Sequence, residues 1–143
     1  WLTQHGSLDN IIHHADQITG VVGDNLRKAL DWLPTNAEAR FTKHVHNAFT
    51  DTGLGPWLTE RGIDHLIICG IRTEQCCETT TRHASDLGWD VDYVTDATLT
   101  WDMVQPDGQV LAAADIKTRT ATVLQGRFAT LCTVQQALDR AAA

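Results

Sequence analysis

Cys76 and Lys43 are the residues of this sequence best suited to covalent chemistry. Cys76 falls in the first turn of a helix expected directly after an apolar strand, Leu66–Cys69. Lys43 falls near the end of an earlier expected strand, Arg40–Val45. In an open parallel sheet, ligands bind at the carboxyl ends of the strands, where helices begin. A helix N-terminus offers N–H groups without intrahelical partners and a positive potential, and both favour a thiolate. A nearby ammonium adds to that effect. A thiolate beside such donors is an activated nucleophile and sits next to half of an oxyanion hole.

An unpaired cysteine is most often a small buried hydrophobe, and the other three cysteines fit that description. Cys77, Thr80, Thr81, Ala84 and Leu87 recur at helical spacing on one face, the face expected toward the sheet. Cys76 is rotated off it. Cys69 and Cys132 fall in expected strands and are assigned to the core. No Cys-x-x-Cys pair occurs, which suits a reducing, cytoplasmic setting rather than a disulfide framework or a zinc site. His44 and His46 share one face of the expected Arg40–Val45 strand region, but such a pair is more often solvated. No metal and no cofactor is expected.

The elements that must position these residues alternate. Trp1–Gln4 reads as the tail of a strand, and His5–Gly23, rich in Gly, Asp, Asn and His, as a long loop. Leu26, Leu30 and Leu33 support a helix over Asn25–Trp32, capped by Asp24 and stopped by Pro34. A helix begins at Gly55-Pro56 and stops at Gly62. Leu66–Cys69 is apolar throughout, as for a strand covered on both faces. A turn over Ile71–Glu74 leads into a helix from Gln75 to Leu87, ended by Gly88. Asp90–Thr95 is a strand, Pro106-Asp107-Gly108 a turn, Ala112–Leu124 a helix, Phe128–Cys132 a strand and Val134–Ala142 a helix. The expected fold is one α/β domain, three-layer α-β-α, with a mostly parallel doubly wound sheet.

Composition closes off other classes. The chain has 143 residues, with 11 Lys+Arg against 18 Asp+Glu, a net charge of −7. That balance argues against a nucleic-acid partner, which needs a basic stripe to neutralise phosphates. No apolar run approaches the ~20 residues that span a bilayer, so no membrane partner is expected.

Several segments in order give a more specific indication. Gly70-Ile71-Arg72-Thr73-Glu74-Gln75-Cys76-Cys77-Glu78-Thr79-Thr80 resembles the nucleophile segment of the isochorismatase-like cysteine hydrolases, a Gly-x-x-Thr-x-x-Cys stretch after a buried strand. Lys43 through Leu54, with Asn47-Ala48-Phe49 and Thr52-Gly53-Leu54, is similar to the family's lysine segment. Val94-Thr95-Asp96-Ala97 resembles its Val-x-Asp-Ala, and Trp1–His5 its second strand. The resemblance implies a Cys-Lys-Asp mechanism on a small-molecule amide. Cys76 would be the nucleophile and Lys43 would hold its thiolate. A cis peptide between Ile71 and Arg72 would aim the Arg72 N–H, with that of Cys76, at the oxyanion. Phe49 and Trp101 are candidate pocket residues, Trp101 because it follows the strand end at Asp96-Ala97. A homodimer or larger homo-oligomer is expected, from the family's habit and from the tryptophans of a small domain.

The family's acid/base aspartate ends its first strand, in a segment with no match here. Asp9 and Asp16 match nothing in the pattern, so the sequence is expected to be N-terminally incomplete, lacking that first strand. Cleavage of a C–N amide or ureide bond is the favoured activity, because a cysteine is present. The alternatives are hydrolysis of an isochorismate-type vinyl ether and a non-catalytic member lacking the general base.

Overall fold

The computed structural model describes Leu2–Thr3 and residues 38–141. The elements run β1 (Leu2–Thr3), α1 (Leu54–Glu60), β2 (His65–Ile71), a π-turn (Thr73–Cys77), α2 (Glu78–Asp86), β3 (Asp90–Leu99), β4 (Met103–Val104), β5 (Val110–Leu111), α3 (Ala113–Leu124), β6 (Thr130–Cys132) and α4 (Val134–Ala141). The main sheet has the order β1-β2-β3-β6. β3 pairs in parallel with both β2 and β6, whereas β1 runs antiparallel to β2 with Leu2 opposite Ile68. β4 and β5 form a separate hairpin closed by the expected Pro106-Asp107-Gly108 turn, where Gln105 N–H donates to the Gln109 carbonyl at 2.8 Å.

Side chains alternate across a strand, and here both faces are apolar. Leu66, Ile68, Val91 and Tyr93 point to one side and pack with Leu54 and Leu58 of α1, Ala84 of α2 and Leu124 of α3. Ile67, Val94 and Cys132 point to the other and meet Ala137 and Ala141 of α4. Helices on both faces make the three α/β layers. Leu54, Leu66 and Leu124 are fully buried, and each contributes about 1.5–3 kcal/mol through that burial.

Four local features depart from the sequence expectation. Arg40–Val45 is not a strand but part of an irregular segment. The Lys43 ammonium folds back to donate to the Val45 carbonyl at 2.8 Å and the His46 carbonyl at 3.1 Å. Carbonyls turned toward one ammonium cannot line up in a ladder, so His44 and His46 share no strand face. The helix after β2 starts earlier than Gln75, at Thr73, and as a π-turn: Cys77 N–H donates to the Arg72 carbonyl at 3.1 Å, an i to i+5 bond. Leu87 is 53% exposed rather than on the sheet face. It is the C-cap of α2, and the chain turns away at Gly88, whose φ of 96° favours glycine. β3 continues past Thr95 to Leu99, with a register shift against β2 between Ile68 and Gly70 that takes up the Asp96-Ala97 segment.

The expected helix over Asn25–Trp32, the loop His5–Gly23, and with them Asp9 and Asp16, lie outside the described residues.

Candidate active site

The π-turn places two adjacent cysteines in different surroundings. Cys77 is 5% exposed and packs into the main core, while Cys76 is only partly buried. Burial pushes the Cys77 thiol up to about 12 and the Cys132 thiol up to about 11, and it raises Cys69 as well. Thiols so shifted hold almost no thiolate at neutral pH.

A buried chain of hydroxyl groups fixes the turn from below. The Tyr93 hydroxyl donates to the Thr73 carbonyl at 2.9 Å. The Thr73 hydroxyl donates to Thr98 Oγ1 at 2.9 Å, and the Thr98 hydroxyl donates to the Thr95 carbonyl at 2.9 Å. Tyr93, Thr73 and Thr98 are all fully buried. The first residue of the π-turn is thereby tied to the far end of β3. Sequence reasoning placed Tyr93 in a strand and missed this role. The available signal was chemical, since a buried phenol needs a hydrogen-bond partner.

Lys43 arrives from the other side. Its segment docks on α2 through the Ala48 N–H, which donates to Thr80 Oγ1 at 3.1 Å. Thr52 closes the same loop by donating to the Ala48 carbonyl at 2.6 Å. Lys43 is 4% exposed. Burial pulls its ammonium below the usual lysine range, and the neighbouring Cys76 thiol opposes that shift electrostatically, together with Cys77. The structure thus brings Lys43 and Cys76 together, as the sequence motifs paired them.

The Ile71–Arg72 peptide is cis. Arg72 caps the π-turn and its guanidinium lies 3.8 Å from the centre of the Trp101 ring. Its Nε is 3.1 Å from Glu74 Oε1, and Glu74 Oε2 accepts a 2.7 Å hydrogen bond from Thr100. Trp101, 39% exposed, thus lies beside Arg72, after the end of β3. Phe49 packs elsewhere. Its ring packs on Trp89 at 5.0 Å and on His83 at 5.6 Å. His83 lies toward the C-terminal end of α2, about two turns from Cys76, and there the ring serves the core. Trp57 and Trp89 are packing residues too: Trp57 meets Phe41, and the Trp89 indole donates to the Ile63 carbonyl at 2.7 Å. Among the described residues, no three His, Cys, Asp or Glu side chains are grouped to hold a metal ion. No described helix is long and apolar enough to cross a membrane.

Known proteins share this arrangement of sequence and fold. Residues 8–128 match the isochorismatase domain. An uncharacterized isochorismatase family protein of Bacillus subtilis, YrdC, is 32% identical over 106 residues, covering 74% of this chain and 57% of that protein. Nicotinamidase 3 of Arabidopsis thaliana is 30% identical over 100 residues, covering 70% of this chain and 50% of that one. The crystal structure of an isochorismatase from Pseudomonas putida KT2440 superimposes with a TM-score of 0.72 at 31% identity, covering 87% of this chain and 66% of that one. The chain spans about half the length of the curated relatives it matches. On its motifs, its fold and the match over residues 8–128, the chain belongs to the isochorismatase family of hydrolases.

Proposed function

We propose that the protein hydrolyses a C–N bond in a small amide or ureide through a thioester on Cys76. The observation that carries this reading is the buried Lys43 ammonium against the Cys76 thiol at the start of a helix. An ammonium with two of its protons on the Val45 and His46 carbonyls is fixed in place and stabilises a thiolate beside it. The Cys76 thiolate adds to the amide carbonyl, and the negative charge that forms on oxygen is taken by the Arg72 and Cys76 N–H groups. Collapse expels the amine, which takes up the proton that the Cys76 thiol gave up on forming its thiolate. Water then cleaves the thioester and frees the acid and the thiol. The similarity to a nicotinamidase supports amide cleavage over vinyl ether cleavage.

The test is ammonia release from a panel of small amides and ureides, with Cys76→Ala as the control. Release by the wild-type protein and its loss by roughly a thousandfold or more in the variant is the expected result. Equal release by both proteins would remove Cys76 from the reaction.

A further inference from the structure

Three consecutive residues at the start of the Cys76 turn are each held by a residue at the exit of β3. Thr73 donates to Thr98 at 2.9 Å, within the buried hydroxyl chain. Glu74 Oε2 accepts from the Thr100 hydroxyl at 2.7 Å. The Arg72 guanidinium lies 3.8 Å from the centre of the Trp101 ring. Glu74 Oε1 pairs with Arg72 Nε at 3.1 Å, which closes a ring through Thr100, Glu74, Arg72 and Trp101.

This ring is nearly dry. The Arg72 side chain is 17% exposed and that of Glu74 11%. Arg72 Nε and Nη2 and Glu74 Oε1 carry almost no exposed surface, so the two charges neutralise each other and leave no edge for a ligand. An ion pair taken out of water is often no more stabilising than apolar side chains of the same volume, and what it can add is a single geometry.

The geometry it fixes is that of Arg72. The Arg72 carbonyl accepts from the Cys77 N–H at 3.1 Å and from the Gln75 N–H at 3.3 Å, so the turn holds one end of the residue. Ile71, on the other side of the Arg72 N–H, is paired with Leu99 in the sheet. Glu74 and Trp101 hold the side chain. The Arg72 N–H is thereby framed by the turn, the sheet and one side-chain anchor, and only that anchor lies outside the backbone network.

We propose, on the reading of Cys76 as nucleophile and of the Arg72 N–H as an oxyanion donor, that Glu74 is a positioning residue of the Cys76 site. It acts through Arg72, and Thr100 in turn orients Glu74. Neither touches the reacting atoms. A displacement of about 1 Å in a reacting geometry can cost on the order of a hundredfold in rate, so an anchor of this kind has a measurable effect.

Acylation and alkylation of Cys76 separate this role from a merely structural one. Iodoacetamide reacts at a saturated carbon and builds no charge on an acyl oxygen. With p-nitrophenyl acetate, the thiolate adds to the carbonyl and charge collects on its oxygen. The C–O bond then breaks, nitrophenolate leaves and Cys76 is acetylated. Both reactions need the same thiolate, so the ratio of their rates cancels its population and reads the oxyanion donors. Cys76→Ala gives the background, and peptide mass spectrometry places the label. The wild-type acylation-to-alkylation ratio should exceed that of glutathione, a free thiol. Glu74→Gln should lower it about tenfold or more, and Thr100→Val about threefold or more. Thr100→Ser, which keeps the hydroxyl, should recover most of the loss. A ratio unmoved by Glu74→Gln and Thr100→Val overturns the proposal, as do two rates that fall together, the mark of a structural pair. Thr100 is only partly buried, so Thr100→Val decides the matter if Glu74→Gln does not fold. A wild-type Cys76 that takes neither reagent would instead remove the nucleophile reading, and a wild-type ratio no higher than that of glutathione would remove the oxyanion donors. Either result takes the positioning role of Glu74 with it.

Discussion

The Lys43 ammonium is buried against the Cys76 thiol although α1 and β2 separate the two residues in the chain. Each is fixed independently, Lys43 by the Val45 and His46 carbonyls and Cys76 by a π-turn bound to β3 through Thr73. The contact is therefore a product of two rigid supports.

Replacing Lys43 with methionine keeps the length of the side chain and removes the charge. The thiolate of Cys76 then loses its counter-ion in a poorly solvated position. Alkylation by iodoacetamide at neutral pH should slow by about tenfold. Unchanged alkylation would mean that the ammonium contributes nothing to thiolate formation.

Cys76 should be the first cysteine of the native protein to be alkylated. Cys77 and Cys132, raised to about 12 and about 11 by burial, should react only when the protein is unfolded in urea. Peptide mapping after brief labelling reads the order directly. Modification of Cys77 ahead of Cys76 would reverse the assignment of the nucleophile.

Much of this site was legible in the sequence because its signals are local. Helical phase distinguishes Cys77 from Cys76, and the apolar run at Leu66 marks the strand that precedes them. Lys43 was found by its motif, but its backbone was misread. Alternation over Arg40–Val45 looks like a strand, yet one buried ammonium turns two carbonyls out of any ladder. The π-turn was not legible either, since α and π turns differ only in which carbonyl Cys77 N–H reaches. The Tyr93 to Thr73 bond and the Arg72 stack on Trp101 join residues 20 or more positions apart in the chain, and no spacing rule reports such contacts. Phe49, a motif residue expected at the pocket, packs on Trp89 and His83, contacts that its motif does not report.

Tyr93→Phe removes one hydroxyl and with it one of two donors to the buried Thr73 carbonyl, which keeps the Glu78 N–H. The loss should be about 0.5–1.5 kcal/mol in urea denaturation. Because that carbonyl begins the π-turn, Cys76 alkylation should slow as well. A variant as stable as the wild type would show that the phenol bond carries no weight in holding the turn.

Glu78 is a buried carboxylate that joins α2 to α3, taking Arg82 at 2.9 Å, Thr120 at 3.2 Å and Arg119. The two arginines are partly exposed and can return to water if the glutamate is removed. The glutamate cannot do so if the arginines are removed. The double variant Arg82→Ala with Arg119→Ala should therefore lose more stability than Glu78→Ala, about 3–5 against about 1–3 kcal/mol. The reverse order in denaturation midpoints would show that Glu78 finds solvent when unpaired.

The pH dependence of stability gives a separate measure of the buried ammonium. Burial lowers the Lys43 pKa from its ordinary 10.5. Below the lowered value, folded and unfolded chains both hold the proton, and the residue carries a constant penalty. Between the lowered value and 10.5, the unfolded chain holds more proton on this residue than the folded chain does. Stability contributed by Lys43 must rise with pH across that window, and level off above it. Lys43→Met has no proton to lose there and should lack the rise. Urea midpoints measured in reductant through the alkaline range should thus show the wild type gaining on the variant as pH increases. Other titrating groups largely cancel in that difference, apart from Cys76 and Cys77, which touch the ammonium electrostatically and limit the gain. A difference that is flat or falls with pH would mean that Cys76 and the two carbonyls fully offset the desolvation of Lys43, and that its charge is held in the fold without penalty.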